Sequence, residues 1–79
     1  MKTYIFDYDK LRALIRRKIR TESEFARQIG RSNAYVSLAL NGHRQFSQSD
    51  IYKAVDVLGI DPADIDTYFF TLDVHKSGT

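Results

Sequence analysis

Cysteine is absent from the 79 residues. Its absence excludes disulfide frameworks, thiolate zinc sites and cysteine nucleophiles together, and fits a reducing cytoplasm. The remaining soft ligands, His43 and His75, lie far apart with no ligand spacing around them, so each reads as a surface residue and neither metal nor cofactor is expected. Long apolar runs are missing too. The longest stretch free of charge falls far short of the roughly 20 residues that span a bilayer, and Met1 to Asp9 lacks the basic-then-apolar order of a signal peptide. A soluble cytoplasmic protein without a membrane partner is expected. Nor is there chain enough for two cores. With 43% apolar and 28% charged residues, residues 1–79 read as one folded domain with a loose tail over 75–79. No paired carboxylates sit against an activated nucleophile and no glycine-rich phosphate loop is present, so neither an enzyme nor a small-molecule substrate is expected.

Charge is polarised along the chain. Residues 10–46 carry nine basic side chains (Lys10, Arg12, Arg16, Arg17, Lys18, Arg20, Arg27, Arg31, Arg44) against Glu22 and Glu24, a net +7. Residues 47–79 carry Lys53 and Lys76 against Asp50, Asp56, Asp61, Asp64, Asp66 and Asp73, a net −4, and residues 1–9 add −1, giving the total of +2. Such asymmetry is the footprint of a protein with one face toward a polyanion.

Helical punctuation dominates the pattern. Asp7 or Asp9 can cap a first helix over about 8–19, whose Leu11, Leu14, Ile15 and Ile19 recur at spacings of three and four. Arg12, Arg16 and Arg20 form another stripe, either a solvated face whose cations suit the helix C-terminus or a set of phosphate contacts. Thr21 and Glu24 spell a capping box for a second helix that buries Phe25, Ala26 and Ile29 and ends at Gly30. Ser32 caps a third helix carrying Val36 and Leu40, closed by Asn41-Gly42. After the loop His43-Arg44-Gln45-Phe46, Ser47 and Asp50 make a second capping box, and Ile51, Ala54, Val55 and Leu58 give a fourth helix before Gly59. Asp61-Pro62 announces a fifth over about 62–68, with Ile65 and Phe69 turned inward. Segments 3–6 and 70–74, where Phe70, Leu72 and Val74 alternate with polar residues, predict a two-stranded antiparallel ribbon joining the termini.

The span from Glu22 to Gly42 has the layout of a helix-turn-helix. Ala26 lets two helix backbones approach, Gly30 makes the tight turn, and Val36 plugs the angle between the helices. An ordinary helical hairpin with a glycine turn is the plainer reading of the same residues.

On these residues the chain resembles the lambda-repressor and Cro-like class, which implies a mainly α, five-helix domain over residues 7 to about 69. Phe6-Asp7-Tyr8 with Lys10-Leu11-Arg12, Ser37-Leu38-Ala39-Leu40-Asn41-Gly42 and Tyr68-Phe69-Phe70-Thr71 resemble more closely a small phage-associated family of presumed Cro-type regulators and modulators of repression. The latter are antirepressors that bind their phage's repressor. The class usually has an aliphatic residue three after Val36, where this chain has Ala39 between Leu38 and Leu40. The third helix is therefore rotated or exposes Leu38.

The resemblance implies a sequence-specific DNA-binding transcriptional regulator in the bacterial host cell, its recognition helix 32–41 in the major groove of a double-stranded operator and its affinity gained by forming a homodimer. Asn33, Ala34 and Ser37 then occupy base-reading positions, with Tyr35 or Ser37 reaching a base or phosphate. Arg20, Arg31, Ser32 and Arg44 hold phosphates. Ser23, Leu38 and Asn41 complete the candidate set. Asn33 also reads as a second cap residue, and Tyr35 as partial packing on the loop before the fourth helix. One feature points elsewhere: Ser32 to Asn41 contains no lysine or arginine, although phosphate neutralisation supplies most non-specific affinity. Tyr35, Leu38 and flanking arginines are residue types suited to the centre of a protein interface. The alternative is an antirepressor that binds a phage repressor through this same face without reading DNA.

Overall fold

The computed structural model describes residues 6–72. Five α-helices follow one another: α1 Asp9–Lys18, α2 Glu22–Ile29, α3 Asn33–Leu40, α4 Gln48–Leu58 and α5 Ile65–Phe69. The mainly α, five-helix architecture expected from the sequence is the one observed.

Local chemistry explains most of the boundaries. Neither Asp7 nor Asp9 caps α1 as expected: the N-cap is Tyr8, without a side-chain cap bond, and Asp7 Oδ1 accepts from the Asp9 amide at 2.8 Å just ahead of the helix. Past the end of α1, Arg20 has a φ of +97°, a left-handed conformation that costs a residue with a side chain about 1 kcal/mol. At α2 the Thr21 hydroxyl accepts from the Glu24 amide at 3.1 Å, but the other half of the expected capping box does not form. The Glu24 carboxylate instead accepts from Arg27 Nε and Gln28 Nε2, both at 2.9 Å. A charged guanidinium one turn away is a stronger donor than a neutral backbone amide, and it wins. At α4 a guanidinium, Arg31, also bonds the carboxylate, but through Oδ1, and Oδ2 stays on the Ser47 amide, so both halves of the Ser47–Asp50 box form at 3.0 Å.

Gly30 (φ +76°) reverses the chain between α2 and α3. A Cβ there would meet only Lys53 Nζ, at 3.9 Å, so the position requires glycine for its conformation and not for lack of space. Beneath the turn Ala26 and Val36 are buried, which lets α2 and α3 pack closely. Ala39, further along α3, is buried as well. Leu40 is buried and Leu38 is turned outward at 46% exposure.

The rest of the core is contributed by Leu11, Leu14 and Ile15 from α1, Phe25 and Ile29 from α2, Ala54 and Leu58 from α4, and Phe69 from α5. A chain of edge-to-face aromatic contacts closes it: Tyr8 on Phe46 with ring centroids 5.5 Å apart, and Phe46 on Phe69 at 5.8 Å. Phe46, expected only as loop, is thus the residue that ties the α3–α4 connection to both ends of the described chain, a geometry favoured by the ring quadrupoles.

Three sequence expectations need correction here. The fifth helix over 62–68 is divided, with a 3-10 turn at Pro62–Asp64 preceding the five-residue α5. Asp61 Oδ1 accepts from the Ala63 amide at 2.9 Å and the Asp61 carbonyl from the Asp64 amide at 2.8 Å, which tightens that turn. On α4, Ile51 and Val55 are only half-buried, forming with Tyr52, Ile65 and Phe70 an apolar groove on the surface. Of the terminal ribbon, the described residues form an isolated antiparallel bridge between Phe6 and Leu72, with the Asp7 amide donating to the Thr71 carbonyl at 2.6 Å. Residues 3–5 and 73–74 of that ribbon, and the tail 75–79, lie outside the described residues.

Candidate functional site

Helix α3 is short and its exposed face is held in place from both ends. At its C-terminus Arg12 of α1 donates from one terminal nitrogen to the Leu40 carbonyl and to Asn41 Oδ1, each at 2.8 Å. Asn41 Nδ2 in turn donates to the Ser37 carbonyl at 2.8 Å. Carbonyls left without partners at a helix end are thereby satisfied by a cation, the sign that suits that end of the helix dipole. Arg12 also lies 3.6 Å from Glu22. The arginine stripe of α1 is therefore not uniform: Arg12 is half-buried, and Arg16 and Arg20 are exposed.

At the N-terminus the Ser32 hydroxyl accepts from the Tyr35 amide at 3.0 Å, and the anchor is Asp50. This carboxylate is 1% exposed. Oδ1 accepts from Arg31 Nε at 2.7 Å, and Oδ2 from the Tyr35 hydroxyl and from the Ser47 amide. Burial pushes its pKa up, but the bonds from Arg31, Tyr35 and Ser47 outweigh burial and hold it at about 2. Sharing a proton with this carboxylate raises the pKa of the Tyr35 phenol, and the same anion raises that of Arg31.

The Tyr35 ring lies between two guanidiniums, Arg31 at 4.3 Å and Arg44 at 4.0 Å from the ring centroid. Cations over an aromatic face gain from its quadrupole, so the α2–α3 turn, α3 and the loop before α4 are joined at one point. Of the candidate residues the structure brings Arg31, Ser32, Tyr35 and Arg44 together here. Asn33 and Ala34 occupy the exposed first turn of α3, with Leu38 one turn further on. Ser37 and Asn41 belong to the Arg12 clasp. Arg20 and Ser23 are exposed on either side of Thr21.

This arrangement changes what each residue can offer. Nε of Arg31, the hydroxyl of Tyr35 and the amide of Asn41 are engaged within the chain. What faces outward is Leu38, the small surface of Asn33 and Ala34, and the Arg44 guanidinium stacked on Tyr35. Two residues missed at sequence level, Asp50 and Arg12, organise this face. The capping box gave Asp50 a role on α4 but carried no signal of its partner 19 residues earlier, and Arg12 meets Asn41 across 29 residues. Among the described residues no helix is long and apolar enough to cross a membrane.

Residues 4–72 match a family described as "Protein of unknown function (DUF739)". No curated protein matches the chain. Among solved structures, the chain is similar to the modulator of repression (MOR) of the temperate bacteriophage TP901-1 from Lactococcus lactis, determined in solution. The two are 42% identical, superpose with a TM-score of 0.72, and the match covers 82% of this chain and 88% of that one. With nearly its whole described length inside these matches, the chain belongs to the DUF739 family and shares its helical fold with a phage modulator of repression.

Proposed function

We propose that this protein is an antirepressor-type regulator that binds a phage repressor through the face built by α3 and its flanks, and does not act by reading an operator itself. The observation that carries this reading is the make-up of the exposed face. From Ser32 to Asn41 there is no cation, Arg31 is ion-paired at 2.7 Å, and Leu38 is 46% exposed. Non-specific DNA affinity rests on free cations meeting phosphates, and this face is short of them. An exposed leucine beside a rigid, cation-flanked tyrosine fits the core of a protein interface, where aromatic, aliphatic and arginine anchors concentrate. Likeness to a modulator of repression supports the same direction, and reverses the order in which the sequence alone placed DNA and protein as partners.

Operator binding keeps one observation in its favour, the closely packed α2–α3 pair with its Gly30 turn, the layout of a helix-turn-helix. On that reading Asn33, Ala34 and Ser37 read bases, and a homodimer is needed for affinity. Calorimetric titration separates the two: purified protein is titrated with a purified phage repressor and, in the same low-salt buffer, with random-sequence duplex. Saturable binding to the repressor and duplex binding weaker than about 10 μM, the weak end of which is ordinary for non-specific contact, is the expected result. Tight duplex binding with no repressor binding overturns the proposal.

A further inference from the structure

Arg31 stands immediately before the cap of α3 with its side chain 39% exposed, while its partner Asp50 is almost wholly buried at 1%. An exposed arginine at that place is positioned to meet a phosphate. Here its Nε is already bonded to a carboxylate oxygen at 2.7 Å, and the neighbouring oxygen is held by Tyr35 and Ser47. We infer that Asp50 occupies, from within the chain, the place a phosphate would take on Arg31, and so sets this face for a protein partner over a nucleic-acid backbone. The inference rests on the antirepressor reading of the face and names the residue that enforces it.

The physics runs through two alternatives, both unfavourable to DNA. If Arg31 leaves Asp50 to meet a phosphate, a buried carboxylate loses its charged partner, which is the costly way to break such a pair. If Arg31 stays, the phosphate approaches a guanidinium whose charge is neutralised and whose carboxylate repels it. Either way Arg31 releases no counterion and adds nothing to duplex affinity. A partner protein meets no such obstacle, because it needs only the apolar surface of Leu38 and Tyr35 and the Arg44 guanidinium beside Tyr35, which among the described residues has no ion-pair partner.

The test removes the charge while keeping a side chain of the same shape. Asp50→Asn, checked for folding by circular dichroism and thermal melting, is titrated with random-sequence duplex over a range of salt, beside the unaltered protein and the double variant Arg31→Gln/Asp50→Asn. Freeing one cation is expected to tighten duplex binding roughly threefold to tenfold at about 50 mM salt and to steepen the logarithmic salt slope by about 0.9. The double variant is expected to return to the affinity of the unaltered protein. A folded Asp50→Asn whose duplex affinity and slope do not change overturns the inference, as does a gain that survives loss of Arg31. Should Asp50→Asn not fold, the unaltered protein decides: the Arg31 Nε proton resonance is expected to stay in place on adding duplex at low salt, and its displacement overturns the inference. Repressor binding by the unaltered protein is read separately, so loss of the antirepressor reading would be seen independently of these outcomes.

Discussion

Arg31 Nε donates to Asp50 Oδ1 at 2.7 Å, joining the turn before α3 to the first turn of α4 through a carboxylate that also caps α4. Its pKa of about 2 lies below the ordinary 3.8. A depressed carboxylate contributes stability that is fully present above its unfolded value and is lost as pH falls through the folded one. Acid unfolding is therefore expected to draw on Asp50 between about pH 4 and pH 2. Replacing it with asparagine should flatten the stability profile in that window. Glu24 is held at about 2 as well, by Arg27 first and then Gln28, but it is solvated, so Glu24→Gln should flatten the profile much less. Melting curves at stepped pH check both, and equal effects of the two variants would contradict this ranking.

Arg12 reaches across to Leu40 and Asn41, and its removal leaves the C-terminal carbonyl of α3 without that donor. Hydrogen bonds from charged groups are worth about 1.5–3 kcal/mol each when made within a protein. Arg12→Met, which keeps the aliphatic stem, is expected to cost about 2 kcal/mol, a fall in Tm of about 10 °C. A melting temperature within a degree or two of the unaltered protein would show that the clasp contributes nothing.

Gly30→Ala separates conformation from space. The nearest atom to the added carbon is a mobile ammonium at 3.9 Å, so the expected loss is the left-handed penalty alone, about 1 kcal/mol. Gly30→Asn should lose less, because asparagine tolerates that conformation. A loss of several kcal/mol on denaturant titration of the alanine variant would mean that packing, not φ, governs the turn.

If Arg44 and the other unpaired cations flanking the face act chiefly on encounter with the repressor, salt should slow association more than it speeds dissociation. Stopped-flow mixing at two ionic strengths measures both rates. A dissociation rate that carries most of the salt dependence would place these cations in the bound interface instead.

Local signals made much of this structure legible in the sequence. The caps Ser32 and Ser47, the turn at Gly30 and the buried Ala26 and Val36 depend on neighbours within one or two turns, and a sequence displays such spacings directly. The half-formed box at Thr21 shows where even local reading fails: Arg27 and Gln28 lie as close to Glu24 as the backbone amide does, and only their relative donor strength decides. Leu38 follows from Val36 and Leu40 being buried on either side of it. Asp50 with Arg31, Arg12 with Asn41, and Phe46 between Tyr8 and Phe69 carry no periodic signature, because each is a meeting of segments brought together by the core. The candidate face depends on those meetings. Among the phosphate contacts that the resemblance implies was Arg31, whose pairing with Asp50 at 2.7 Å no local spacing displays.

If α3 presents an apolar anchor to a repressor and not a reading head to DNA, Leu38 is the residue at which this shows with least disturbance to the fold. Tyr35 is bonded to Asp50 and stacked on two arginines, whereas Leu38 is 46% exposed and lies outside the buried core. The measurement is the Kd of Leu38→Ala for the repressor, with an unchanged melting curve as the check on folding and duplex binding recorded in the same buffer. A loss of about 2 kcal/mol, roughly thirtyfold, in repressor binding is expected, with duplex binding unchanged. Repressor binding that is untouched by loss of Leu38 would contradict it.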